Sequence, residues 1–251
     1  MDETSALDVL AGAKPGEIEV IAVLTDEQIV VLDGTEQPTL LPWHTEQPGS
    51  QTRLHTATRG LVASGLILPD HDGESTRINP SLDALFKIRK STPTMLVVER
   101  QTADSKRWSY TYLFKTTSLE EQVSADGFHT FVAVRTADLG SHLAGLLDPL
   151  GTAAKQEIIT QFADIADFEH LASPIPEVAE SVAISTLTLI DTHADLARVI
   201  VVYASPQGAA ALLGGPNTGT DDYVLKRVSR DGLAAIVNAS VAQVQLPDLG
   251  Q

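Results

Sequence analysis

The residues best equipped for chemistry in this 251-residue chain are its seven histidines and the carboxylates beside them. Asp70-His71-Asp72, and Asp191 and Asp195 around His193, each set an imidazole among carboxylates, the side chains of a metal site or a general base. Neither has the spacing of a ligand set, and both fall where turns are expected, so Asp and His there serve turn geometry. The run Gly214–Thr220 is rich in glycine but lacks the lysine of a phosphate loop, and no strand-to-helix junction surrounds it. No G-x-S-x-G elbow occurs. The adjacent Glu120 and Glu121 are read as part of a helical turn, where they face different directions and form no acid/base couple. The chain has no cysteine, which excludes thiolate nucleophiles, thiolate zinc sites and disulfides. The expectation is a protein that is not an enzyme and holds no cofactor and no metal.

Charge narrows the partners. Lys plus Arg number 17 against 33 Asp plus Glu, a formal net charge of −16 that repels phosphate backbones and anionic lipid. No stretch reaches the roughly 18 apolar residues of a membrane span. The N-terminus carries acids where a secretory signal needs positive charge, so the expected location is the cytoplasm, with neither nucleic acid nor membrane as partner. One segment runs against this trend. Residues 53–74, RLHTATRGLVASGLILPDHDGE, outline a winged-helix reader, and residues 51–90 carry six Lys/Arg against four Asp/Glu. That reading needs a helix immediately upstream of the recognition helix, and the proline-rich connection 35–50 occupies the place. A winged-helix transcriptional regulator is therefore the alternative, marked by a basic stripe on the 51–66 helix.

The elements follow from periodicity. Residues 17–24 read as a half-buried strand. TDEQIVVLDG, 25–34, reads as a helix, because Thr25 and Gln28 make a capping box and Gly34 can end it. Leu54, Ala57, Leu61 and Val62 define one face of a helix from Gln51. PSLDALFKIRK starts a helix at Pro80 with Leu82, Leu85, Phe86 and Arg89 along it. Strands are expected at about 94–100 and 107–115, then a helical turn over SLEEQVSADG, a strand over FHTFVAVR, and a helix capped by Thr136. In the second half 152–171 and 176–183 read as helices, ISTLTLIDT and ARVIVVYAS as strands, LLGGPNTGTDD as a loop, and 223–244 as a strand and helix.

The same order of elements thus occurs twice. At an offset of 94, Phe131, Val134 and Leu139 align with Leu225, Val228 and Leu233. The fold class is accordingly α+β, a single domain over 1–251. Its central, mainly antiparallel sheet is built from two quasi-twofold-related halves, 17–149 and 150–246, with helices packed against it. Each half is expected to supply three strands.

What remains for function is surface. The hairpin loop 101–107 carries Gln101, Asp104, Lys106 and Arg107, polar residues at the tip of a rigid sheet. Trp108, Tyr110, Tyr112 and Phe114 follow on one strand face, an arrangement that belongs to core. The counterpart in the second half is only the short turn around HADL, so the first tip is the expected place of specialisation.

The run LTDEQI, LPW, RLHTATRGLVASGL and INPSLDALFKI, within 24–88, resembles the opening of the EspG family, cytoplasmic chaperones of type VII (ESX) secretion. The resemblance implies a non-catalytic chaperone or adaptor whose partner is a helical secreted protein such as a PE–PPE heterodimer. The 101–107 hairpin would be the first contact, by topology. The loop 214–222, with Asn217 and Asp221, is the second.

Overall fold

The computed structural model describes residues 16–34, 51–69, 76–153, 158–162, 175–214 and 223–248, together with Gly12 and Lys14. Strand β1 (Glu19–Thr25) runs into helix α1 (Asp26–Asp33) through the expected capping box. The Gln28 N–H donates to Thr25 Oγ1 and the Thr25 N–H to Gln28 Oε1, which satisfies two otherwise orphaned donors. Helix α2 (Gln51–Ala63) buries Ala57 and Leu61. A short hairpin of β2 (Ile67–Pro69) and β3 (Thr76–Ile78) leads to α3 (Pro80–Ser91), capped by Asn79, with Leu82, Leu85, Phe86 and Arg89 all turned inward.

Four strands follow: β4 (Thr94–Thr102), β5 (Lys106–Tyr112), β6 (Thr117–Val123) and β7 (Phe128–Arg135). A 3-10 turn then enters α4 (Leu139–Leu147). Thr136 does not cap this helix, because its hydroxyl donates instead to the Phe114 carbonyl at 2.6 Å. The remaining elements are β8 (Ile158–Phe162), α5 (Pro176–Ala179), β9 (Ala183–Asp191), β10 (Leu196–Ser205), β11 (Gly208–Gly214), β12 (Tyr223–Val228) and α6 (Arg230–Val241). No helix among the described residues is long and apolar enough to cross a membrane.

The α+β class is as expected, and the sheet is larger than expected. Ten strands form one antiparallel sheet in the order β1-β7-β6-β5-β4-β9-β10-β11-β12-β8. Each half contributes five strands, in mirrored order, rather than three. β4 and β9 join the halves antiparallel, from Thr94 opposite Asp191 to Thr102 opposite Ala183, so their midpoints Val98 and Leu187 are partners. Every sequence position aligned at the offset of 94 is buried in the strand-to-helix unit of its half: Phe131, Val134 and Leu139 in one, Leu225, Val228 and Leu233 in the other.

The missed strands have physical reasons. SLEEQV lacks apolar alternation because Glu120 and Glu121, both wholly buried, point to opposite faces of β6 and are held there by other polar side chains. GAAALLG of β11, expected to lead into a loop, is small and alanine-rich, with poor intrinsic strand preference. It is committed by two neighbours, β10 and β12. Residues 158–162, expected to be helical, form the edge strand β8 on β12. The helix expected over 176–183 is one turn, because β9 begins at Ala183.

The sheet has two unlike faces. On one, α4 and α6 pack on each other and over both halves, burying Leu139, Leu143 and Leu147 with Leu233 and Val237 against Leu96, Val98, Leu187, Leu189 and Val202. On the other, α1 and α3 cover the first half, where Leu24, Ile29, Leu85 and Phe86 meet Met95, Tyr110, Tyr112 and Phe131. The aromatic row is core as expected: Tyr110, Tyr112 and Phe114 are buried and Trp108 packs against their cluster.

Candidate functional site

The hairpin tip is a three-residue turn, 103–105, because β4 and β5 extend to pair Gln101 with Lys106. The corresponding turn between β9 and β10 spans 192–195. The expected lengthening of the first tip is therefore not present. At the second turn the His193 N–H donates to Asp191 Oδ1 at 3.0 Å, the turn role foreseen for that cluster. His71, Asn217 and Asp221 lie outside the described residues.

Strand alternation divides the four hairpin candidates. Asp104 is exposed in the turn. Gln101 and Lys106 point to the face of α3, and Arg107 to the face of α4. Lys106 is tied down: its Nζ lies 2.6 Å from Glu99 Oε1 and 5.3 Å from the centre of the Trp108 ring, while Trp108 Nε1 donates to Glu99 Oε2 at 3.3 Å.

The row that holds Gln101 and Lys106 continues across the sheet to Ile184 and Tyr203, and the next rows place Thr186 by Val201 and Thr188 by Val199. Here the second half departs from the first. Among the described residues only the one-turn α5 packs on this side of it, with Val178 against Ala210 and Leu225. Ile184 is consequently 41% exposed and Val199 45%, with Val182 at 48% beside the strand start. This is an apolar strip on a paired, rigid sheet, bounded by Lys106 and Gln101 on one side.

Sequence reasoning did not find two buried polar networks. In the first, Glu121 Oε2 accepts from Arg89 Nε at 2.9 Å and from the Tyr112 hydroxyl at 2.8 Å, and its Oε1 lies 2.7 Å from His129 Nδ1. His129 Nε2 lies 2.8 Å from Asp26 Oδ1, and Arg89 Nη1 donates to Asp33 Oδ2 at 2.6 Å. Five elements, α1, α3, β5, β6 and β7, are thereby tied together. Burial pushes the Glu121 carboxyl up, but the Arg89 charge and then His129 outweigh it and hold the group below its ordinary range. Burial and Glu121 push the Tyr112 hydroxyl well above its usual range, so it remains a donor.

The second network lies on the opposite face. Glu120 Oε2 is 2.6 Å from His142 Nε2 of α4, and Glu120 also accepts from the Ser109 hydroxyl and from Gln122. Serine, glutamate and histidine meet here with the carboxylate in the middle, taking the serine proton on one oxygen and facing the imidazole on the other, so the histidine does not touch the serine as it does in a serine–histidine–carboxylate triad. Among the described residues no three His, Asp or Glu side chains stand where they could share a metal ion.

Burial acts to lower His142, yet the hydrogen bond and charge of Glu120 prevail and raise it above the ordinary histidine value of 6.5. A raised folded value contributes stability that is fully present below the unfolded value and is lost as pH rises through the folded one. Urea midpoints should therefore fall between about pH 6.5 and the alkaline side of neutrality, and His142→Gln should flatten that slope. An unchanged slope in the variant would refute the pairing.

A cleft of about 240 Å³ opens on the α4 face between β4, β5, β6, β7 and the end of α4, lined by Arg100, Arg107, Phe128 and Leu146 among others. Period-2 alternation over 94–112 was the signal for it: it sets Arg100 and Arg107 on the face opposite the aromatic row.

The architecture on which these features sit is shared with a secretion chaperone. The chain is similar in fold to the Mycobacterium tuberculosis type VII secretion system chaperone EspG5, solved in complex with the PE25-PPE41 dimer. The TM-score is 0.55 at 10% sequence identity, over 78% of this chain and 87% of that one. No protein-family model and no curated protein matches the sequence.

Proposed function

We propose that the chain is a non-catalytic chaperone or adaptor that holds a helical secreted protein pair of the PE–PPE kind, and that it does so in the cytoplasm with the apolar strip of its central sheet. The observation that carries this reading is the strip itself, around Ile184 and Val199, on a fold shared with a chaperone solved with such a pair bound. Exposed large apolar side chains on a stiff surface suit a partner that brings its own apolar helix face. Residues 17–149 and 150–246 are read as repeats of one unit, of which the second, among the described residues, carries only the one-turn α5 on this side of the sheet. The catalytic alternative has little support in the side chains: His142 pairs with Glu120 and not with Ser109, so no histidine base stands against the serine. The winged-helix alternative is weakened by the seventeen residues, 34–50, that separate α1 from α2.

Covering an Ile or Val side chain contributes roughly 1.5–3 kcal/mol each. Co-expression with a PE–PPE pair from the same genome should give a stable ternary complex by size exclusion. The double variant Ile184→Glu/Val199→Glu should weaken it at least about a hundredfold, while circular dichroism stays native. Full retention of the complex by a folded double variant would sink the assignment of the strip, and failure of every such pair to bind would sink the chaperone reading.

A further inference from the structure

A different feature, independent of the chaperone reading, marks a second site. Arg100 and Arg107 are direct cross-strand partners on the α4 face of β4 and β5. Like charges placed opposite each other on a sheet destabilise it. In a chain with 33 acidic and 17 basic residues, a carboxylate would be the ordinary neighbour for such a pair. None lies within ion-pair distance of either guanidinium among the described residues. Arg100 instead donates Nη1 to the Leu146 carbonyl, 3.2 Å away at the end of α4. Burial, and then the charge of Arg107, push the Arg100 guanidinium below its ordinary range.

The two arginines open into the 240 Å³ cleft, whose other walls include Val98, Leu146 and Phe128, the last 49% exposed. The space is about 240 Å³ and open on one side, adequate for a short organic acid. The polar groups deeper in are already engaged. Ser109 and Gln122 both donate to Glu120, and the charge of Glu120 is faced by His142. Arg107 lines the cleft and is exposed.

We infer that this cleft is a binding site for a small organic carboxylate, its charged end held between Arg100 and Arg107 and its apolar body laid against Val98, Leu146 and Phe128. Guanidinium forks match a carboxylate with paired charge-assisted hydrogen bonds. The apolar walls favour an acid with a short hydrocarbon part over a bare inorganic anion.

The test is titration of the whole chain with 3-phenylpropionate, its primary amide 3-phenylpropionamide, and inorganic phosphate, followed by calorimetry and by the backbone amide NMR shifts of Ser124 and Phe128. The acid should bind saturably and move those two signals, with the amide and phosphate at least about tenfold weaker. Arg107→Gln, an exposed position whose loss leaves the fold intact, should weaken the acid by a similar factor, and Arg107→Lys by less. Equal binding of acid and amide, equal binding of phosphate, an unaffected Arg107→Gln variant, or no saturable binding up to about 10 mM would each overturn the inference.

Discussion

Replacing Arg89 by methionine is expected to lower the unfolding free energy by about 3–5 kcal/mol, the range for breaking a buried ion pair from one side. Arg89 is wholly buried, and it donates to Glu121 at 2.9 Å and to Asp33 at 2.6 Å. Methionine fills much of the same volume, so the loss reports the two carboxylates left behind rather than a cavity. In the native protein Glu121 is held below its ordinary range. A depressed carboxyl contributes stability present above its unfolded value and lost as pH falls through the folded one. Without Arg89 only His129 is left to oppose burial, and the balance shifts towards the protonated acid. The deficit of Arg89→Met in urea unfolding should thus be largest at pH 7 and shrink towards pH 5, and adding Glu121→Gln should recover part of it. Arg89→Lys, with its charge but without the planar fork, should fall between. A deficit under about 1 kcal/mol at pH 7 would mean that the network does not hold α1 and α3 to the sheet.

Gly140→Val is the second large effect. Gly140 sits where α4 crosses α6, and a Cβ added there would lie 2.5 Å from Asn238 Oδ1 and 2.6 Å from the Ala234 carbonyl oxygen. The asparagine can turn aside, but the carbonyl belongs to the backbone of α6 and can move only with the helix. Overpacking of this kind destabilises by about 1–3 kcal/mol and sometimes more, and valine adds branches to the clash. At about 2–4 °C per kcal/mol for a chain of this size, the midpoint of thermal unfolding should fall by roughly 2–12 °C. Gly145→Ala on the same helix is the control. Its added Cβ would meet Arg230 Nη2 at an ordinary 3.5 Å, so the better helix preference of alanine should leave the midpoint unchanged or slightly raised. Asn238→Ala should rescue Gly140→Val only in part. Full rescue would show that the side chain, and not the backbone carbonyl, sets the close approach.

Both predictions rest on contacts made far along the chain, and the same division runs through the fold and the candidate sites. Local chemistry was legible. The capping box of Thr25 and Gln28, the proline start of α3, the inward stripe from Leu82 to Arg89 and the aromatic alternation of β5 depend on neighbours within a turn or two, so residue type and spacing suffice. The three residue pairs aligned at the 94-residue offset are apolar in the sequence and buried in the structure, each in a strand-to-helix unit. Strand β6 was not legible. Two adjacent buried residues at its centre are glutamates, and a glutamate reads as surface until Arg89, His129 and His142 arrive from other elements to face it. β11 was not, because alanines and glycines carry little strand preference and are committed only by the strands on either side.

By itself, then, the amino-acid sequence determined the α+β class, the net negative charge, the ends of α1 and the start of α3, since these follow from composition, periodicity and capping. Only the tertiary structure decided that ten strands join in one sheet, that the hairpin candidates divide between its faces, and that Ile184 and Val199 stand exposed among the described residues while two arginines meet over a cleft. Those outcomes depend on strand register and on which helices cover which face. Register and coverage are set by contacts between segments more than a hundred residues apart, which no local pattern specifies.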